Sequence, residues 1–97
     1  IIPTATIICF FSENKGTYIR TTEGRDYLLE TTLEQLENEL DPAKFYRVSR
    51  KFIVCINAIK DIVVYTNSRL KIILPTYRED EVIVSRERVA DFREWLG

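Results

Sequence analysis

Residues 5–12, ATIICFFS, are apolar on both faces, the pattern of a strand buried from two sides. ENKG at 13–16 reads as a turn, and TYIRTT at 17–22 alternates and is rich in β-branched residues. EGR at 23–25 turns the chain again, and DYLLETT continues as a third strand. This stretch predicts a meander of strands joined by hairpins. The period then changes. In TTLEQLENEL, Leu33, Leu36 and Leu40 fall at i, i+3 and i+7, one helical stripe. Thr31 with Glu34, or Thr32 with Gln35, can form a capping box, and Asp41-Pro42 ends the helix. Its outer face carries Glu34, Glu37 and Glu39.

The run KFIVCINAI is apolar enough for a strand or a short buried helix, and periodicity does not separate the two over so few residues. IKDIVVYT, a turn at Asn67-Ser68, and RLKIIL predict a hairpin with Leu70, Ile72 and Leu74 on its inner face. TYREDE follows as a polar connector, and VIV as a short strand. Ser85 is placed to cap a final helix, RERVADFREWL, whose apolar stripe is Val89, Phe92, Trp95 and Leu96. The expected fold class is therefore β-rich, mainly β with short α: antiparallel strands and hairpins, one short central helix and a C-terminal helix. No repeat, low-complexity segment or linker divides the chain.

Length and composition narrow the function. The 97 residues form one domain, 1–97, which buries roughly 60–65% of its unfolded surface. With 45% hydrophobic and 30% charged residues, the chain has globular rather than disordered composition. No apolar stretch approaches the ~20 residues a bilayer span needs, and IIPTATIICFF lacks the marks of a signal peptide. The expected location is cytoplasmic. There is no Met at all, which is expected of a piece excised from a longer chain. Cys9 and Cys55, the only cysteines, lie in apolar runs. They are read as buried free thiols, with a single buried bridge as the alternative. The absence of His removes the commonest general base and the usual metal ligand. Cys55 sits between Val54 and Ile56, a setting that quiets a thiol. We expect no enzyme activity, no cofactor, no metal and no small-molecule substrate.

Charge patterning is more informative. The chain has a formal charge of −1, yet Lys44, Arg47, Arg50 and Lys51 fall within eight residues that contain no acid. The acids concentrate in the first helix and in Glu79-Asp80-Glu81. Lys15 sits in the first turn, and Arg86 and Arg88 open the last helix. This distribution predicts a bipolar surface, with the acids on the side away from the bases. Cations at a helix N-terminus are mildly unfavourable, by about 0.3–1 kcal/mol each, unless an anion docks there. Two readings stay open: an anion site, or solvated arginines paired with Asp80 or Glu87. A phosphate-bearing partner, nucleic acid above all, fits two basic clusters at element ends. A pI near 5.5 is low for such a domain.

The ordered motifs resemble a known family. FYRVSRKFIVCINAIKDI, followed about thirty residues later by VIVSRERVADF, is similar to the LytTR DNA-binding domain of bacterial response regulators. Phe45, Arg47, Val48, Arg50, Phe52, Ile53, Val54 and Ile59 match its first signature; Val84, Ser85 and Arg86 match its second. CFFSENKGTYIRT and the leucine helix also fall in the family's order, so the resemblance covers nearly the whole chain. Ser49 stands where the family usually has His, Lys51 replaces Ser, Cys55 replaces Asn, and TYREDE replaces a glycine-containing segment. These departures bear on base preference more than on fold.

The resemblance implies an output domain of a two-component, phosphorelay-controlled transcription regulator, excised from a longer chain with an N-terminal receiver domain. It implies sequence-specific binding of double-stranded DNA through loops that enter the major groove, as a homodimer on repeated half-sites. The implied DNA-binding residues are Lys15 and Thr17 in the first turn, Ser49, Arg50 and Lys51 in the second loop, and Arg86, Glu87 and Arg88 at the last helix. Lys15, Lys51 and Arg88 are expected on phosphates, and Arg50 and Arg86 on base edges. Arg47 stays open between DNA contact and structural ion pair. The alternative function is a protein-interaction module of the same fold that has lost DNA binding, supported by the low pI, Ser49 and Glu87.

Overall fold

The computed structural model of the chain describes residues 2–97. Eight strands form two antiparallel sheets. The first sheet contains β1 (Ile7–Glu13), β2 (Gly16–Thr21), β3 (Asp26–Leu29), β4 (Phe45–Arg47) and β5 (Phe52–Cys55), in the order β3-β2-β1-β5-β4. The second contains β6 (Asp61–Tyr65), β7 (Arg69–Ile73) and β8 (Val82–Val84), in sequence order. Helix α1 (Leu33–Glu39) and helix α2 (Val89–Leu96) complete the domain. The β-rich expectation holds. Among the described residues no helix is long and apolar enough to cross a membrane.

The central strands are apolar on both faces because each face has its own core. On one face, Cys9, Phe11, Phe52 and Val54 meet Leu70, Ile72 and Leu74, Val82 and Val84, and Phe92 of α2. On the other, Phe10, Ile53 and Cys55 meet Leu33 and Leu36 of α1. This settles KFIVCINAI. Phe52–Cys55 alternates between the two cores as a strand, and Ile56–Ala58 closes it with a 3-10 turn. One extra residue in β1, between Ile7 and Cys9, sets both Ile8 and Cys9 toward the first core. Cys9 and Cys55 therefore face opposite cores, and both are free thiols. Burial pushes the Cys9 thiol up to about 12.

Thr32 and Gln35 make the reciprocal capping box of α1. Ser85 does not cap the last helix. Residues Arg86–Arg88 form a 3-10 turn, and the α-helix begins only at Val89. The Ser85 hydroxyl instead donates to the Val48 carbonyl at 3.4 Å. The connector is less polar than its composition. Tyr77 is buried against Phe11 and Phe52, and its hydroxyl has no partner.

Candidate nucleic-acid interface

The first basic place is the tip of the β1–β2 hairpin. Asn14 and Lys15 both take positive φ, 49° and 67°, as a two-residue type I′ turn requires. A β-carbon at Gly16 would come within 2.9 Å of the Tyr18 ring, so a side chain there would displace that ring. Lys15 is exposed at the tip, whereas Thr17, one strand position in, is only 6% exposed. Lys15 and Arg50 line the same shallow cavity, which joins the first place to the second.

The second place is the loop between β4 and β5. Its conformation is imposed from inside by Arg47. This guanidinium is buried on the α1 face, in register with Phe45 along β4. Its Nε donates to the Ser49 carbonyl at 2.9 Å, and its Nη2 to the Arg50 carbonyl at 2.8 Å. Its remaining donors meet Glu37 at 3.0 Å and Glu34 at 3.1 Å, both on α1. Arg47 is thus a structural residue. With the loop carbonyls turned inward, Arg50 is left exposed and forms no ion pair among the described residues. The loop is fastened to β1 as well: the Ser12 amide donates to the Lys51 carbonyl at 3.0 Å.

The third place is fastened to the second. The Ser85 amide donates to the Val48 carbonyl at 3.1 Å. Arg88 Nη1 donates to the Arg47 carbonyl at 2.9 Å. Ser49, Arg50 and Lys51 consequently share one cleft with Glu87 and Arg88. Arg86, exposed, lines the adjoining groove with Ser49, Lys51, Asp80 and Glu87. Seven of the eight residues singled out in the sequence thus lie along linked clefts with an exposed or half-exposed side chain; Thr17 is the buried one.

Of the two readings left open for Arg86–Arg88, pairing with Asp80 or Glu87 does not occur among the described residues; the three residues form a 3-10 turn that runs directly into α2, and the Arg88 amide donates to the Ser85 carbonyl at 2.9 Å. The expected bipolar surface fails. Lys51 Nζ pairs with Asp80 at 2.8 Å, Arg47 with Glu34 and Glu37, and Glu87 lies inside the cleft itself. Acids and bases are interleaved, since the α1 and connector acids supply partners for the loop cations. The Lys51 ammonium holds the Asp80 carboxyl below its ordinary range, helped by the Glu81 amide. The Glu34 carboxyl is also lowered, chiefly by its own backbone amide and then by Arg47.

A second buried arginine escaped sequence reading. Arg20 on β2 is 4% exposed. It bridges Asp26 of β3 and Glu79 of the connector, and donates to the Thr76 carbonyl at 2.5 Å. Its guanidinium stacks 4.9 Å from the Tyr77 ring centroid. That hold depresses the Glu79 carboxyl to about 2. Nothing in the alternation of TYIRTT distinguishes Arg20 from a solvated strand residue; the signal lies in two acids far apart in sequence.

Among the described residues, a mainly-β domain presents cationic loops along linked clefts and carries no extended recognition helix. The LytTr DNA-binding domain model matches residues 1–97, and the chain belongs to that family. It is a DNA-binding domain of a kind typical of response-regulator output domains, in a non-enzymatic family. Its fold is similar to a solved structure described as the LytTr DNA-binding domain of a methyl-accepting/DNA response regulator from Bacillus cereus. The two share 28% identity and a TM-score of 0.87, over 99% of this chain and 85% of that one. No curated protein matches the chain.

Proposed function

We propose that this domain binds DNA sequence-specifically, through loops that enter the major groove, as the output domain of a two-component transcriptional regulator. The observation that carries the reading is the fastening of the Ser49–Lys51 loop to the Arg86–Arg88 turn by Ser85 and Arg88. Two loops held in fixed relation can present side chains to one groove at a defined spacing. Arg50 and Arg86, exposed and without a carboxylate partner among the described residues, are the base-edge candidates. Lys15, Lys51 and Arg88 neutralise phosphates, Ser49 and Glu87 line the cleft between them, and Thr17 supports the hairpin from within. In the full-length protein, a receiver domain would control dimerisation on repeated half-sites.

Selection from a random pool of DNA duplexes tests the reading. The chain should enrich one sequence, and log Kd should rise steeply with log salt. Arg50→Ala with Arg86→Ala should cost about 2–6 kcal/mol of discrimination, at 1–3 kcal/mol for each lost bidentate contact. A double variant that still selects the same sequence overturns the site assignment. The interleaved acids, Asp80 on Lys51 and Glu87 in the cleft, favour one competing reading, a protein-interaction module. Failure to bind any duplex at low salt would overturn DNA binding and favour that module.

A further inference from the structure

Arg47 does more than stabilise the fold. We infer that Arg47 is a positioning residue for sequence readout: it transmits the rigidity of helix α1 to the Ser49–Lys51 loop and so fixes where Arg50 projects. The inference rests on the DNA-binding reading above and concerns specificity within it.

The geometry is specific to a planar fork. Three nitrogens of one buried guanidinium hold two successive loop carbonyls, Ser49 and Arg50, and two carboxylates one helical turn apart, Glu34 and Glu37. The carboxylates are themselves placed by α1, whose start is fixed by the Thr32–Gln35 capping box and whose inner face is buried through Leu33 and Leu36. The chain of contacts therefore runs from a packed helix, through Arg47, to the backbone of the loop. A second contact reaches the same residue, where Arg88 donates to the carbonyl of Arg47 itself. Arg47 is where the helix, the loop and the third basic place meet.

Arg50 lacks such support. Its side chain is exposed and unpaired among the described residues, so its position depends on the backbone beneath it. Base readout requires donors placed to within a fraction of an ångström, whereas phosphate attraction tolerates displacement. Loss of the Arg47 fork should therefore damage readout and spare the sequence-independent term. Lysine cannot substitute, because an ammonium is a single point of donors and cannot span two carbonyls and two carboxylates.

The test is Arg47→Lys, which conserves charge. Binding is titrated against a random duplex and against the duplex enriched by the wild-type chain, each at several salt concentrations, with thermal melting on the same samples. Random-duplex affinity should stay within about twofold and its salt slope should not change. Enriched-duplex affinity should fall about tenfold, the scale of one base contact. If the lysine variant does not fold, Glu37→Gln serves instead. Its added charge affects both duplexes alike, and the ratio of the two affinities should fall about two- to threefold. An unchanged ratio, or equal weakening on both duplexes, overturns the inference. A wild-type chain that enriches no sequence overturns the sequence-specific reading and this inference with it; a wild-type chain that does, beside an unchanged variant ratio, overturns this inference alone.

Discussion

Two buried arginines organise this domain, and they differ in what they hold. Arg20 is 4% exposed and Arg47 8%, and each engages two carboxylates. Arg20 closes the fold on itself: it ties the β3 edge to the connector over a floor of Tyr77 and Phe11. Arg47 shapes a surface: it ties a helix to the carbonyls of an exposed loop. The same side chain at the same depth thus serves the core in one place and presentation in the other. The connector links the two regions through neighbouring residues, Glu79 on Arg20 and Asp80 on Lys51.

The sharpest way to break the comparison is Arg20→Ala. It strips two carboxylates of their partner, frees the connector and removes the cation over Tyr77. We expect a loss of about 3 kcal/mol in urea unfolding, the low end for breaking a buried pair because both carboxylates reach solvent. The salt slope of DNA binding by the folded fraction should not change. A stability loss matched by Arg47→Lys would erase the distinction between the two arginines.

Acid titration gives a smaller effect. Glu79 is depressed to about 2 by Arg20, below the ordinary carboxylate value near 4.3. A depressed folded value means its contribution is fully present above about pH 4.3 and is lost as pH falls toward 2. Because its side chain is 58% exposed, solvent screening limits the contribution to about 1 kcal/mol. Urea unfolding at pH 5, 4 and 3 should show that step in the wild type, and Glu79→Gln should reduce it. An unaltered step in the variant would assign acid sensitivity elsewhere.

The smallest expected effect is at Asp80→Asn. Asparagine retains an oxygen for the Glu81 amide, which Asp80 Oδ1 accepts at 2.8 Å, but releases Lys51. An exposed pair contributes about 0.2–1 kcal/mol, so random-duplex binding at low salt should tighten by at most about fivefold. The same change made in a Lys51→Gln background should give a smaller gain. Equal gains would mean that Asp80 acts by general charge rather than through Lys51.

Much of the fold was legible because its signals are local. The leucine stripe and the Thr32–Gln35 box marked α1, the alternation of Leu70 and Ile72, continued by Leu74 just past the strand, marked the inner face of β7, and Asn67-Ser68 marked its turn. The second basic place was legible for the same reason, since Lys44, Arg47, Arg50 and Lys51 stand together without an acid in the linear string. Ser85 misled because Ser before a helical pattern is a common cap, yet here its hydroxyl and amide are both taken by Val48, 37 residues away in sequence.

By itself the sequence determined the period of each element, the apolar faces, the family motifs and which side chains carry charge, all properties of neighbours along the chain. Only the tertiary structure decided which charges remain free. Arg20 and Arg47 were withdrawn from solvent and Lys51 was paired, while Arg50 and Arg86 were left exposed. That outcome depends on acids contributed by β3, α1 and the connector. Coulomb attraction at 3 Å acts between groups that folding brings together, whatever their separation in sequence.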